Sequence, residues 1–188
     1  MRWVNILWVL SALVLSGAVH ASEDLGSFTG PSWQVGDDPM QNSARRVIES
    51  RDGEARQLIY QLIPKGQTDQ NWRKRHWVFV AEDIRKPILS VRDSYLSRSE
   101  AECAVDQKWA DWDKSRNETL FAVFCGKRVS DGQGYLSVVW MGKNRRTLVR
   151  VSEEWRGAPY TFGQSDTYFW DREALTNLIA SMGASELK

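Results

Sequence analysis

The sequence predicts an α+β fold, an antiparallel β-sheet of about five to six strands with two main α-helices packed on it. Three observations lead there. Several short stretches rich in aliphatic and aromatic residues, bounded by Gly, Pro, Asn or Asp, read as strands. Two others carry apolar residues at spacings of three and four, the mark of an amphipathic helix. Strands and helices also fail to alternate regularly along the chain, as parallel βαβ units would require.

The first segment is set apart by composition. Met1 and Arg2 precede an apolar run from Trp3 to Val19, and Val19-His20-Ala21 offers small residues at the two positions a signal peptidase reads. Residues 1–21 are expected to be a cleavable export signal. The alternative is an uncleaved anchor, because the run approaches the roughly 20 residues that span a bilayer. Removing 21 of the 188 residues leaves 167, a length suited to one domain that buries about two thirds of its unfolded surface. Arg2 is the only charged residue removed, so 24 basic and 24 acidic side chains remain and the formal charge is zero. That balance excludes the electrostatic footprint of a nucleic-acid binder and confines membrane contact to the signal segment.

Residues 22–43 hold Gly26, Gly30, Pro31, Gly36 and Pro39, and read as a loop-rich segment with one short strand around Trp33 to Val35. A single domain is expected over 44–183, with 184–188 as a tail. Asp52-Gly53 suits a two-residue hairpin turn. After it, Leu58, Tyr60 and Leu62 alternate with Ile59, Gln61 and Ile63 as a strand, whereas Ala44 to Ser50 reads as a strand or a short helix. Pro64-Lys65-Gly66 ends the strand, and Gln67 to Arg75 is a polar connection holding Trp72. Trp77 to Ala81 reads as a buried strand, and Pro87 breaks the chain after it.

Ser97 to Glu102 contains two overlapping Ser-x-x-Glu capping boxes, which predict a helix start. On that helix Ala101, Val105, Trp109 and Trp112 share a stripe, while Cys103 falls on the opposite side. Leu120 to Cys125 is the next strand. Tyr135 to Met141 and Thr147 to Trp155 form a hairpin through Gly142-Lys143-Asn144. The closing helix starts at an Asp171 N-cap, carries Leu175, Leu178, Ile179 and Met182, and ends at Gly183.

Cys103 and Cys125 are the only cysteines, and in an exported chain an even pair is expected to form a disulfide. With one histidine outside the signal, His76, and both cysteines oxidised, a His- or Cys-rich metal site is not expected, and no cofactor motif occurs. His76 is read as a partly exposed strand residue with a cationic neighbour, Arg75, rather than as a catalytic base. The carboxylate pairs Asp111/Asp113, Glu82/Asp83 and Glu153/Glu154 are sequence neighbours with diverging side chains, which is the wrong arrangement for two acids facing each other across a cleft. No catalytic residue is assigned. A carboxylate-based hydrolase ranks third among the functional readings.

Of the ten tryptophans, Trp3 and Trp8 lie in the signal. Trp77, Trp109, Trp112 and Trp155 are expected in the core. Trp33, Trp72 and Trp170, in polar or Gly-containing surroundings, are expected to offer a contact surface. Two basic groups, Arg73-Lys74-Arg75 and Lys143-Asn144-Arg145-Arg146, complete the candidate surface; if they converged they would suit an anionic partner or lipid headgroup. Asn117-Glu118-Thr119 is formally a glycosylation sequon, relevant only to a eukaryotic secretory pathway.

Asp52-Gly53, Pro64, Gly66-Gln67, Asn71-Trp72 and Cys125, in that order over about residues 50 to 155, resemble a pattern in small periplasmic proteins of Gram-negative bacteria. The resemblance implies a PsbP-like or Mog1-like α+β sandwich and a periplasmic location. It brings no established activity, and several related envelope proteins are accessory factors beside secretion machinery. The leading expectation is a non-enzymatic periplasmic protein that works through contact with a protein partner in the cell envelope, as an accessory of a secretion or transport system. The alternative is a binding module for sugar, peptidoglycan or lipid.

Overall fold

The computed structural model describes residues 28–29, 43–52, 55–64, 66–184 and 186–187. The expected export signal, the expected strand at Trp33 to Val35, and Trp33 itself lie outside the described residues. The chain runs β1 (Phe28–Thr29), β2 (Ser43–Asp52), β3 (Ala55–Pro64), β4 (Lys74–Ala81), α1 (Ile88–Ala101), β5 (Cys103–Ser115) and β6 (Glu118–Arg128). It continues through β7 (Gly134–Asn144), β8 (Thr147–Gly157), a short 3-10 turn (Ser165–Thr167), α2 (Arg172–Gly183) and β9 (Glu186–Leu187).

The fold is α+β, as the residue patterns predict, with seven strands in one antiparallel sheet ordered β2-β3-β4-β8-β7-β6-β5. Two meanders, β2-β3-β4 and β5-β6-β7-β8, meet along the β4–β8 ladder. A second, two-stranded ladder pairs β1 with β9, so the expected tail at 184–188 takes part in structure. No helix of the described residues is long and apolar enough to cross a membrane.

The hairpins lie where alternation predicts them, with their turns displaced. Ala44 to Ser50 is strand, and the β2–β3 ladder runs to Asp52↔Ala55, so Asp52 is paired within it. The β7–β8 ladder closes on Asn144↔Thr147, so the turn is Arg145-Arg146, with Arg145 at φ 53°, and not Gly142-Lys143-Asn144.

The largest correction concerns residues 88–115. The helix is Ile88–Ala101, and Cys103–Ser115 is the edge strand β5, paired with β6. Pro87 lies in the break between β4 and α1, at the N-cap position of the helix, where a missing N–H costs nothing. The Ser-x-x-Glu boxes fall in the last turns of the helix rather than its first. Trp109 and Trp112, three apart, therefore project from opposite faces of a strand. They are exposed, at 49% and 36%, instead of buried in the core. An edge strand tolerates Asp106, Lys108 and Asp111, and such charges discourage pairing with a further chain.

Each sheet face buries its own cluster. Val78, Val138, Trp140 and Val151 pack against Leu178 and Met182 of α2, whose first turn is capped by the Asp171 carboxylate accepting from the Ala174 N–H at 2.7 Å. Phe121, Val123, Val139 and Met141 pack against Ile88 of α1 on the other face. The segment between β8 and α2 folds back over the strand ends with Tyr160, Phe162, Tyr168 and Trp170 in mutual ring contact. Glycine permits that approach: a Cβ at Gly126 or Gly134 would come within 2.4 Å of the Tyr160 or Ala158 carbonyl oxygen. Trp170, expected on a contact surface, belongs to this cluster and packs on the core.

Candidate functional site

The polar connection before β4 is a side-chain-stapled turn. Gly66 adopts φ 88°, the Asn71 side-chain oxygen accepts from the Thr68 N–H at 2.6 Å, and the Gln67 oxygen accepts from the Arg73 N–H at 2.5 Å. This winding drives Trp72 inward to 2% exposure, a correction to its expected place at the surface. The guanidinium carbons of Arg75, Arg156 and Arg128 lie 3.9, 4.6 and 5.8 Å from its ring centroid, a cation–π stack. Arg156 also donates to the carbonyls of Trp72 and Gln70 at 2.9 and 2.7 Å, locking the turn onto β8.

Arg75 is the link from this stack to the sheet. It sits on β4 opposite Glu154 of β8, which in turn lies opposite Ser137 of β7. Its Nε donates to Glu154 at 2.6 Å, and its guanidinium lies 4.9 Å from the Trp77 ring. Above this row passes the second half of α1. The disulfide Cys103–Cys125, with Cα atoms 5.7 Å apart, and a bond from the Val129 N–H to the Glu102 carbonyl at 2.8 Å hold the end of the helix over β6.

Between helix and sheet lies a cavity of about 260 Å³, lined by Arg75, Arg98, Arg128 and Arg150 with Tyr95, Tyr135 and Glu154, and bordered by Cys125. The Tyr95 and Ser137 hydroxyls are 3.4 Å apart. Burial first, and the Glu154 charge second, push both phenols above their ordinary range, so each stays protonated and able to donate. Arg128 pairs with Asp131, itself held by Arg156 at 3.2 Å. Arg150 lies 5.0 and 5.3 Å from the Phe79 and Tyr95 rings, and its buried Nε lacks a hydrogen-bond partner. The site can therefore donate hydrogen bonds and positive charge from fixed positions. Among the described residues no group of three His, Cys, Asp or Glu side chains is placed to hold a metal ion. Comparison with protein-family models, with curated proteins and with solved structures finds no match.

Of the residues singled out in the sequence, Arg75 lines the cavity, Cys125 borders it and Trp72 supports it. Arg73 is exposed, and Lys74 pairs with Glu153 at 2.5 Å. The other basic group lies at the far end of the sheet, where Ala81 faces Leu148, about 25 Å away along the eight residues of β4. The two groups thus do not converge. The hairpin end is tied down: Lys143 donates to the Lys86 carbonyl at 2.6 Å and Arg146 pairs with Asp83, leaving Arg145 exposed at the turn. Arg98, Arg128, Arg150, Tyr95 and Tyr135 were not legible as site residues. The available signal was Arg150, Ser152 and Glu154 at period two, a polar run on a strand whose other face carries Val149, Val151 and Trp155.

Glu153 and Glu154 point to opposite faces of β8 and cannot act on one bond. Glu153 is buried on the α2 side, its carboxylate 2.6 Å from Trp155 Nε1 and 3.2 Å from His76 Nδ1. His76 is buried, at 3% exposure, not partly exposed as the sequence suggested. Desolvation lowers its pKa below 6.5, outweighing the raising effect of Glu153 and assisted by Lys74. Below pH 6.5 the unfolded chain therefore binds a proton that the native state withholds, and stability falls with pH. The melting temperature is expected to drop between about pH 7.5 and 5.5, with a shallower drop for His76→Gln; parallel melting profiles for the two proteins would contradict this.

Proposed function

We propose that this protein is a non-enzymatic binding module of the cell envelope, exported by residues 1–21, which takes its ligand in the cavity between α1 and the sheet. The observation that carries the reading is the lining. A helix–sheet contact is ordinarily apolar, and here four arginines and two phenols converge on a half-open cleft instead. Guanidinium and high-pKa phenol groups keep their protons near neutral pH, which suits holding a ligand better than proton transfer. The resemblance of the Pro64 to Trp72 stretch to small periplasmic proteins supports the location.

Trp72 and Trp77 flank Arg75, so their fluorescence reports on cavity occupancy. Titration with sugars, muropeptides, lipid headgroups and small organic anions is expected to shift the emission for at least one class. Unchanged emission across the panel would remove the reading. A second reading, contact with a protein partner as an accessory of a secretion or transport system, is favoured by β5, an edge strand presenting Trp109, Trp112 and Val105. Crosslinking in the host followed by pulldown tests it, and recovery of the protein alone would count against it.

A further inference from the structure

Arg150 is the anomaly of the cavity. A buried N–H ordinarily has an acceptor, and one left without is costly to the fold; the half-buried Arg150 has such an N–H at Nε. Arg75 is committed to Glu154 and Arg128 to Asp131. Arg98 donates from Nε only to the Ser94 carbonyl at 3.3 Å, and Arg150 Nε has no hydrogen-bond partner. The lining carries four guanidinium groups against the carboxylates of Glu102 and Glu154, an excess of positive charge around a half-open cleft. Around it stand the hydroxyls of Tyr95 and Tyr135, which can donate to an oxyanion.

Building on the reading of this cavity as a ligand site, we infer that its ligand carries a carboxylate or phosphate group, taken by Arg150 and Arg98 with the Tyr95 and Tyr135 hydroxyls beside them. Phenyl and phenol rings flank Arg150 and hold its planar fork in place, so little side-chain freedom is lost when an oxyanion docks. The cavity volume limits the group and what it is attached to: a small anion or the charged end of a larger molecule fits, a polymer does not.

The test is calorimetric titration of the disulfide-intact protein with inorganic phosphate, succinate and, as a neutral arm, N-acetylglucosamine. At least one anion is expected to bind with a Kd below about 1 mM. Tighter phosphate than succinate assigns a phosphate ligand, and the reverse a carboxylate. Arg150→Met is expected to weaken anion binding about ten- to a hundredfold, the loss of charge-assisted hydrogen bonds. Its melting temperature should equal or exceed that of the parent, since the buried Nε–H that lacks an acceptor is then gone. Arg98→Gln, at the cavity rim, gives a second and smaller loss, about three- to tenfold, and Arg73→Ala outside the cavity gives none. An anion affinity that survives both Arg150→Met and Arg98→Gln would overturn the inference, as would failure of both anions to bind. Binding of the neutral sugar alone, unaffected by Arg150→Met, would overturn the inference while leaving the binding-module reading in place.

Discussion

Replacing Trp72 with alanine is expected to lower the unfolding free energy by about 3–5 kcal/mol, the range for large-to-small changes at a buried aromatic. The ring removes roughly 150–250 Å² from water, and at 2% exposure almost all of that would be forfeited. Three guanidinium groups also lose the face they lie against. Of these, Arg75 matters beyond stability, because Trp72 and Trp77 position it over Glu154 at the cavity wall. Trp72→Phe, which keeps a ring in the stack, should recover a large part of the loss. Chemical denaturation of the three proteins checks both statements, and a Trp72→Ala midpoint close to the parent's would show that the turn does not depend on its anchor.

Removing the disulfide with Cys103→Ser and Cys125→Ser is expected to cost about 3 kcal/mol, from the entropy returned to an unfolded chain whose cysteines are 22 positions apart. The bond joins the start of β5 to β6 beside a register shift between Cys103 and Val105, where the ladder alone holds the edge strand least well. The loss should therefore be accompanied by faster amide exchange in residues 103–107 than in the β6–β7 ladder. Equal stability of reduced and oxidised protein in denaturant would refute the expectation.

The same two cysteines explain what was legible and what was not. A helix through Trp109 and Trp112 set Cys103 away from Cys125; the strand resolves that conflict, because β5 and β6 are neighbours. The edge strand escaped notice because charged residues occur on both of its faces, so period two is blurred, while a chance spacing of three between the tryptophans mimics a helix. Conversely, α1 does carry a signal: Ile88, Val91 and Tyr95 stand at helical spacing after Pro87, a proline compatible with the helix start. The β6–β7–β8 hairpins were readable because β6 and β7 are buried on both faces, which gives short continuous apolar runs bounded by turn residues, and α2 was readable because Leu175, Leu178 and Met182 stand at helical spacing on the side that meets the sheet. The cavity was not readable, since Arg75 and Arg150 lie 75 positions apart and the β4–β8 pairing that unites them leaves no local trace.

That pairing has a kinetic consequence. Within each meander, neighbouring strands are joined by short connections, and their contacts form cheaply in entropy. The β4–β8 ladder instead matches residues 67 to 81 positions apart, from Ala81↔Leu148 to Lys74↔Trp155. Closing so long a loop costs about 4 kcal/mol of chain entropy before any contact rewards it. The seam between the two halves is thus the slow step in assembling this chain, and until it closes Val78 and Val80 stay in water and the arginines of the two halves remain apart.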